Sequence, residues 1–155
     1  MGVVEMASTR DLAELTSLRL GYLTDDFGEL SHEQERGIAH ELAPYLQAHL
    51  DKDLYVFAMR AEDQIACCAW LLLVEKPPSP RFPHGRTGVL FNVYTRTAYR
   101  RRGLARATML ALLNKARELN LDVVELNATD DGYPLYQSLG FEDDSSTHRA
   151  MRMML

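Results

Sequence analysis

Apolar positions recur along this chain with two periods, near 3.6 and near 2, and the changes between them mark the elements. Residues 3–6 read as a short strand. From Ser8 or Thr9 as N-cap, Leu12, Leu15, Leu18 and Leu20 predict an amphipathic helix that weakens at Gly21 and in the polar stretch near Asp25 to Glu29. A second helix is predicted from Ser31 to His49, with Ser31 and Gln34 at capping-box spacing. Pro44 inside it predicts a kink or two shorter helices. The β-rich runs 54–60 and 64–74 suit an antiparallel hairpin through Ala61, Glu62 and Asp63. Four prolines make 75–86 a loop, and 87–95 is a strand.

Helical periodicity returns from Gly103 to Leu119, with Ala105, Met109, Leu112, Leu113, Ala116 and Leu119 on one face. Residues 122–128 read as a strand. Pro134 opens and Gly140 closes a short helix in "YPLYQSLGF", and "HRAMRMML" reads as a final strand. A strand, a helix and a strand between 87 and 127 are long enough for a right-handed parallel crossover. The expected fold is α/β (α+β), a mixed central sheet flanked by helices around one core. The chain shows no repeat and no linker, which predicts a single domain over residues 1–155.

Composition narrows the function classes. With 155 residues, 46% apolar and 25% charged, the chain has an ordinary globular balance, and its formal net charge of -5 argues against nucleic acid as a partner. No apolar run approaches the ~20 residues of a membrane span. The first residues lack a basic segment followed by a long apolar one, so a cytoplasmic protein without membrane contact is expected. Cys67 and Cys68 are adjacent inside an apolar run. On a strand they face opposite ways, which suits buried, reduced side chains better than a metal site or a disulfide. The five histidines form no metal-ligand spacing, so no metal is expected.

Local charge departs from this picture. Arg96, Arg100, Arg101, Arg102 and Arg106 place five of the 17 cations within eleven residues, where a strand turns into a helix. The first N–H groups of that helix lack internal partners and lie at the positive end of its dipole. Cations there are unfavourable unless an anion offsets them, and Gly103 lets a ligand approach the backbone. The pattern points to a polyphosphate. It lacks the Lys of a Walker loop and the further glycines of a dinucleotide fingerprint.

Arg100-Arg101-Arg102-Gly103-Leu104-Ala105 resembles the Gln/Arg-x-x-Gly-x-Gly/Ala signature of the GNAT N-acetyltransferase superfamily. "LYQSLGF" resembles a second segment of the same enzymes, and the order of elements matches along nearly the whole chain. Thr97 and Arg101 stand where Pro and Gly are common. The resemblance implies acetyl-CoA as cosubstrate, with its pyrophosphate on Arg100, Arg101, Arg102, Gly103, Leu104, Ala105 and Arg106. It implies a pantetheine arm along Val93, Tyr94 and Thr95, in a gap between splayed strands edged by Asn127. Tyr133 is a further candidate contact. It also implies direct attack by a primary amine, with Tyr136 as general acid for the departing sulfur.

The base and the acceptor are less marked. A Glu used by some relatives falls at Val89 here. Among the loop acids Asp25, Asp26 and Glu29, Glu29 is the chosen candidate base or substrate contact, and Asn92 is a candidate for orienting water or substrate. Phe27, Trp70, Phe82 and Tyr94 are candidate pocket walls. The acidic loop is compatible with a cationic amine, either a small molecule or a peptide, and the final strand can pair across a homodimer. A non-catalytic acyl-CoA-binding protein of the same fold is the alternative reading.

Overall fold

The computed structural model describes residues 2–155. Its centre is a five-stranded sheet in the order β1 (Val4–Met6), β2 (Leu54–Ala61), β3 (Gln64–Glu75), β4 (Arg86–Thr95) and β5 (Val123–Glu125). The first three pairings are antiparallel and β4–β5 is parallel, so the sheet is mixed. The β4–β5 crossover carries α3 (Leu104–Glu118), as parallel strands require.

The alternation along β2 divides the core between two faces. Val56 and Ala58 join Ile65, Cys68 and Trp70 of β3 beneath α1 (Leu12–Phe27) and α2 (His32–His49), where Leu15, Leu18, Leu42 and Leu46 are buried. Tyr55 and Phe57 point the other way with Ala69 and Leu71. They meet Met109, Leu112 and Ala116 of α3, against which Tyr136 and Leu139 of the short α4 (Tyr133–Ser138) also pack. β3 is covered on both sides, which is why its sequence is an unbroken apolar run. Cys67 and Cys68 are buried and unbridged, one in each of two core clusters.

The helix starts are capped as the sequence indicates. Ser8 and Asp11 form a reciprocal box ahead of a single 3₁₀ turn leading into α1, and Ser31 and Gln34 do the same for α2. α1 runs past Gly21 and ends at Phe27, inside the Asp25 to Glu29 stretch where the sequence weakens it, and α2 is continuous through Pro44, so of the two outcomes expected there the division into two helices does not occur. Pro44 forfeits a bond to the His40 carbonyl, but Leu42 and Leu46 on either side are packed into the core and keep the helix in place. The strand expected over 122–128 pairs only at Val123–Glu125, which leaves Asn127 outside it.

Residues 148–155 form no strand, and Met151, Met153, Met154 and Leu155 are exposed. Alternation alone does not make a strand, since it needs a neighbouring edge of matching length and a buried face. β5 offers three residues. The homodimer expectation thereby loses the strand on which it rested. Among the described residues no helix is long and apolar enough to cross a membrane.

Candidate functional site

The site begins with a defect in β4. Opposite Ala69 of β3 the strand holds both Asn92 and Val93, since Phe91 pairs with Trp70 and Tyr94 with Cys68. Asn92 adopts φ 52° while 1% exposed, a left-handed backbone that Asn tolerates better than most residues. Its amide is engaged at both ends: Oδ1 accepts from Arg19 at 3.1 Å, and Nδ2 faces the Cys68 sulfur at 3.8 Å. β5 accompanies β4 only at Thr87, Gly88 and Val89. Beyond them the strands part, and the β4 edge through Val93, Tyr94 and Thr95 has no partner strand on that side among the described residues.

After Thr95 a 3₁₀ turn over Thr97–Tyr99 leads into the loop before α3. Arg101 (φ 63°) and Gly103 (φ 76°) are both left-handed, and Gly103 caps α3 without any side-chain hydrogen bond. Left-handed residues in short loops bring successive N–H groups to one concave side. Among the described residues, no acceptor is found for the backbone N–H groups from Arg101 through Arg106. A Cβ built on Gly103 would meet nothing within 4 Å, so the loop is open at that residue.

The arginines do not converge as one cluster. Arg100 donates to the Thr95 carbonyl at 2.8 Å and to Asp25 of α1 at 2.6 Å, and lies 5.4 Å over the Tyr94 ring. Arg102 lies over Tyr99, at a cavity of about 500 Å³ shared with Met59, Arg60 and Leu104. Arg106 donates to Ser138 of α4 at 2.8 Å, and Arg96 is held by the Ile65 carbonyl and Glu14. Leu104 is buried beneath the loop, with Ala105 beside it.

Tyr136 reaches this region from α4. Burial, then the neighbouring Tyr22 phenol and Cys67 thiol, push its hydroxyl up to about 12. It borders a cleft of about 1040 Å³ together with Val89, Asn127, Tyr133 and Phe141. Tyr133 is tied to Asp143 at 2.9 Å and to Gln137, and both that bond and burial raise it. Gly132 crowds the Tyr136 ring, where an added Cβ would stand 2.9 Å from it.

The opposite wall is α1. A Cβ on Gly21 would lie 2.7 Å from the Tyr94 hydroxyl, so the glycine that weakens the helix in sequence makes room for the β4 tyrosine. Glu29 lies in the turn after Gly28, exposed and without a polar contact among the described residues. Asp25 is taken by Arg100, and Asp26 acts on Tyr22. Of the candidate walls, Trp70 is buried under α1 and α2, Phe27 is 74% exposed, and Phe82 lies under Lys76 and Arg81 in the proline loop. Tyr94 alone stands at the gap.

Arg19 went unremarked in the sequence. Its signal was available, because it follows Leu15 by one helical turn and lies beside Leu18 on the face that α1 buries. His49 pairs with Asp53 at 2.7 Å and His84 with Asp122 at 2.6 Å. Among the described residues no three His, Cys, Asp or Glu side chains gather as a metal site.

Known proteins share this fold. A predicted acetyltransferase from Clostridium acetobutylicum, solved with acetyl-CoA, is similar at 25% identity and a TM-score of 0.82, over 97% of this chain and 96% of its own. A GCN5-related N-acetyltransferase from Ralstonia eutropha JMP134 gives 20% and 0.77, over 96% and 97%. A ribosomal-protein-alanine N-acetyltransferase from Brucella melitensis biovar Abortus 2308 gives 21% and 0.72, over 99% and 100%. At these identities the last two speak for the fold alone. No curated protein matches the sequence. The model of the acetyltransferase (GNAT) family matches residues 15–141, and the chain belongs to that family.

Proposed function

We propose that this chain is an N-acetyltransferase that moves the acetyl group of acetyl-CoA directly onto a primary amine, with residues 1–155 working as one catalytic domain. The observation that carries the reading is the run of unpaired N–H groups from Arg101 through Arg106, which begins where the free edge of β4 ends. A pyrophosphate is the anion that such a run of donors accommodates, aided by the α3 dipole and the arginines. The Val93–Thr95 edge then offers main-chain partners to an amide-bearing arm, as a missing neighbouring strand would. Asn127 and Tyr133 line the cleft side of that arm.

In the reaction the amine nitrogen attacks the thioester carbonyl carbon and forms the C–N bond. The tetrahedral intermediate expels sulfur as the C–S bond breaks. The nitrogen loses a proton to water or to an acid of the α1–α2 turn, for which Glu29 is the candidate, and the Tyr136 hydroxyl supplies one to the thiolate. A phenol raised to about 12 stays protonated through the working pH range and is poised to donate whenever a thiolate forms. Asn92 acts indirectly, by holding Arg19 and shaping the bulge.

The test is thiol release from acetyl-CoA with a panel of amines, with the acetylated product identified by mass. Acetylation of at least one amine, reduced about 10²-fold in kcat by Tyr136→Phe at unchanged CoA affinity, is the expected result. Tight CoA binding without turnover on any amine would refute catalysis and leave an acyl-CoA-binding protein.

A further inference from the structure

Four arginines of the chain are half-buried: Arg19, Arg60, Arg86 and Arg96. Three of them meet carboxylates. Arg60 reaches Glu5, Asp11 and Glu14, Arg86 lies 3.5 Å from Glu75, and Arg96 lies 3.3 Å from Glu14. Arg19 meets none among the described residues. Its hydrogen bond to Asn92 uses one of five guanidinium N–H groups, and the Phe91 ring lies 5.8 Å from its carbon. Burial pulls its proton affinity below the ordinary arginine value, and the Tyr22 and Tyr45 phenols oppose that only in part. A desolvated cation left without a counter-charge is costly, and the described residues supply none.

A second donor nearby is also unsatisfied. The Trp70 indole N–H is buried with no oxygen or nitrogen acceptor among the described residues, the Cys68 sulfur being its one polar neighbour, and its ring packs against Phe91 at 5.7 Å. Cys68, whose sulfur faces the Asn92 amide, borders the same indole. Donors therefore outnumber acceptors around Asn92.

The position of Arg19 tells which ligand would correct this. It meets β4 at Asn92, before the Val93–Thr95 edge and on the far side of that edge, along the chain, from the phosphate donors. Tyr22, one turn further along α1, lies in the fields of Arg19, Asp26 and Tyr136 alike. The cation is thus at the acceptor end of the gap, and Asp26, the carboxylate beside Tyr22 that Arg100 does not occupy, lies two turns further along α1.

We propose that Arg19 is the specificity determinant of the acceptor site, and that the acceptor is an amine carrying a carboxylate, of the amino-acid class, whose carboxylate pairs with the Arg19 guanidinium. The proposal rests on the reading of this site as an amine acetyltransferase. It departs from the cationic acceptor that the acidic loop alone suggests, because the acids meet one end of a zwitterion and Arg19 meets the other.

The experiment compares small, aromatic and acidic amino acids, each with its own amide, in the thiol-release assay. In parallel, the matching N-acetyl amino acids and N-acetyl amides are titrated into the CoA-loaded protein by calorimetry. The expected result is a preference for the free carboxylate of about 10–100-fold in kcat/KM and in product affinity, the worth of one charge-assisted pair. Arg19→Met should bring that ratio close to one at unchanged CoA affinity, and Arg19→Lys should restore part of it. Equal use of carboxylate and amide by the wild-type protein would overturn the proposal, whether or not the variants fold. So would an Arg19→Met protein that keeps the preference. If no amine is acetylated, the catalytic reading fails, and the calorimetric ratio alone decides for or against the Arg19 site.

Discussion

Replacing Gly103 by Ala separates two costs that the loop before α3 combines. The backbone there has φ 76°, a left-handed conformation that costs a residue with a Cβ about 1–2 kcal/mol. No steric term is added within the protein, since the new methyl would meet nothing within 4 Å. The stability loss should therefore stay near that backbone cost, read as a lowered urea midpoint at an unchanged slope. The same methyl is added within the loop that carries the unpaired N–H groups of Arg101 through Arg106. Holding a phosphate off one of these charge-assisted bonds removes about 1.5–3 kcal/mol, or roughly 10–100-fold in affinity. Calorimetry with CoA should show that loss, whereas pantetheine, which lacks the pyrophosphate, should bind both proteins alike. Gly28→Ala is the control, with φ 88° and equally open space but no place at the α3 terminus. It should destabilise the fold at least as much and leave CoA affinity unchanged. Unchanged CoA binding by Gly103→Ala, or an equal loss for pantetheine, would refute the phosphate cradle.

Three further outcomes are expected. With Tyr136 raised to about 12, its protonated form persists as pH climbs past the ordinary phenol value near 10. The kcat/KM profile should accordingly show no descending limb with a midpoint near 10, and a fall there would place the proton donor elsewhere. Asp25→Asn releases Arg100 from a pair that is about half exposed on both sides, so stability should change by no more than about 1 kcal/mol. CoA affinity should then rise about 2–5-fold as the guanidinium becomes available to phosphate, and a decrease in calorimetric affinity would mean the pair works as a fixed unit. Gly21→Ala gains about 1 kcal/mol of helix propensity but places a methyl 2.7 Å from the Tyr94 hydroxyl. Denaturation should register little net change, while the KM for acetyl-CoA rises because Tyr94 and the Arg100 above it must move.

Periodicity carried much of the fold, and its failures share a cause. Capped helices, the β2–β3 hairpin and the signature helix are local in origin, so spacing and cap residues sufficed to place them. The final strand was misread because its alternation of methionines with arginines is local evidence for something that is not local, namely a neighbouring edge. β5 presents only three residues, and the apolar side chains of 151–155 stay exposed. At Pro44 the helix is not divided, since tertiary packing of Leu42 and Leu46 outweighs a local penalty. The β4 bulge left no mark in composition, because a single left-handed Asn inside an apolar run looks like any strand residue.

The same distinction explains what the arginine knot could and could not disclose. Five cations in eleven residues pointed to an anion, but sequence proximity does not mean a common direction. Arg96 is spent on Glu14, Arg100 on Asp25 and the Thr95 carbonyl, and Arg102 on the Tyr99 ring, each turned to a different neighbour by the left-handed residues and the 3₁₀ turn between them. What remains common to the stretch is its backbone, whose N–H groups from Arg101 through Arg106 find no acceptor among the described residues. Arg19 is the converse case. It is isolated in sequence, and among the described residues no acid pairs with it, which is why the proposed acceptor site rests on a single half-buried cation rather than on several in a loop. A charge is informative about function when the fold desolvates it and leaves it unpaired, and that condition is met in α1, not in the knot that first draws the eye.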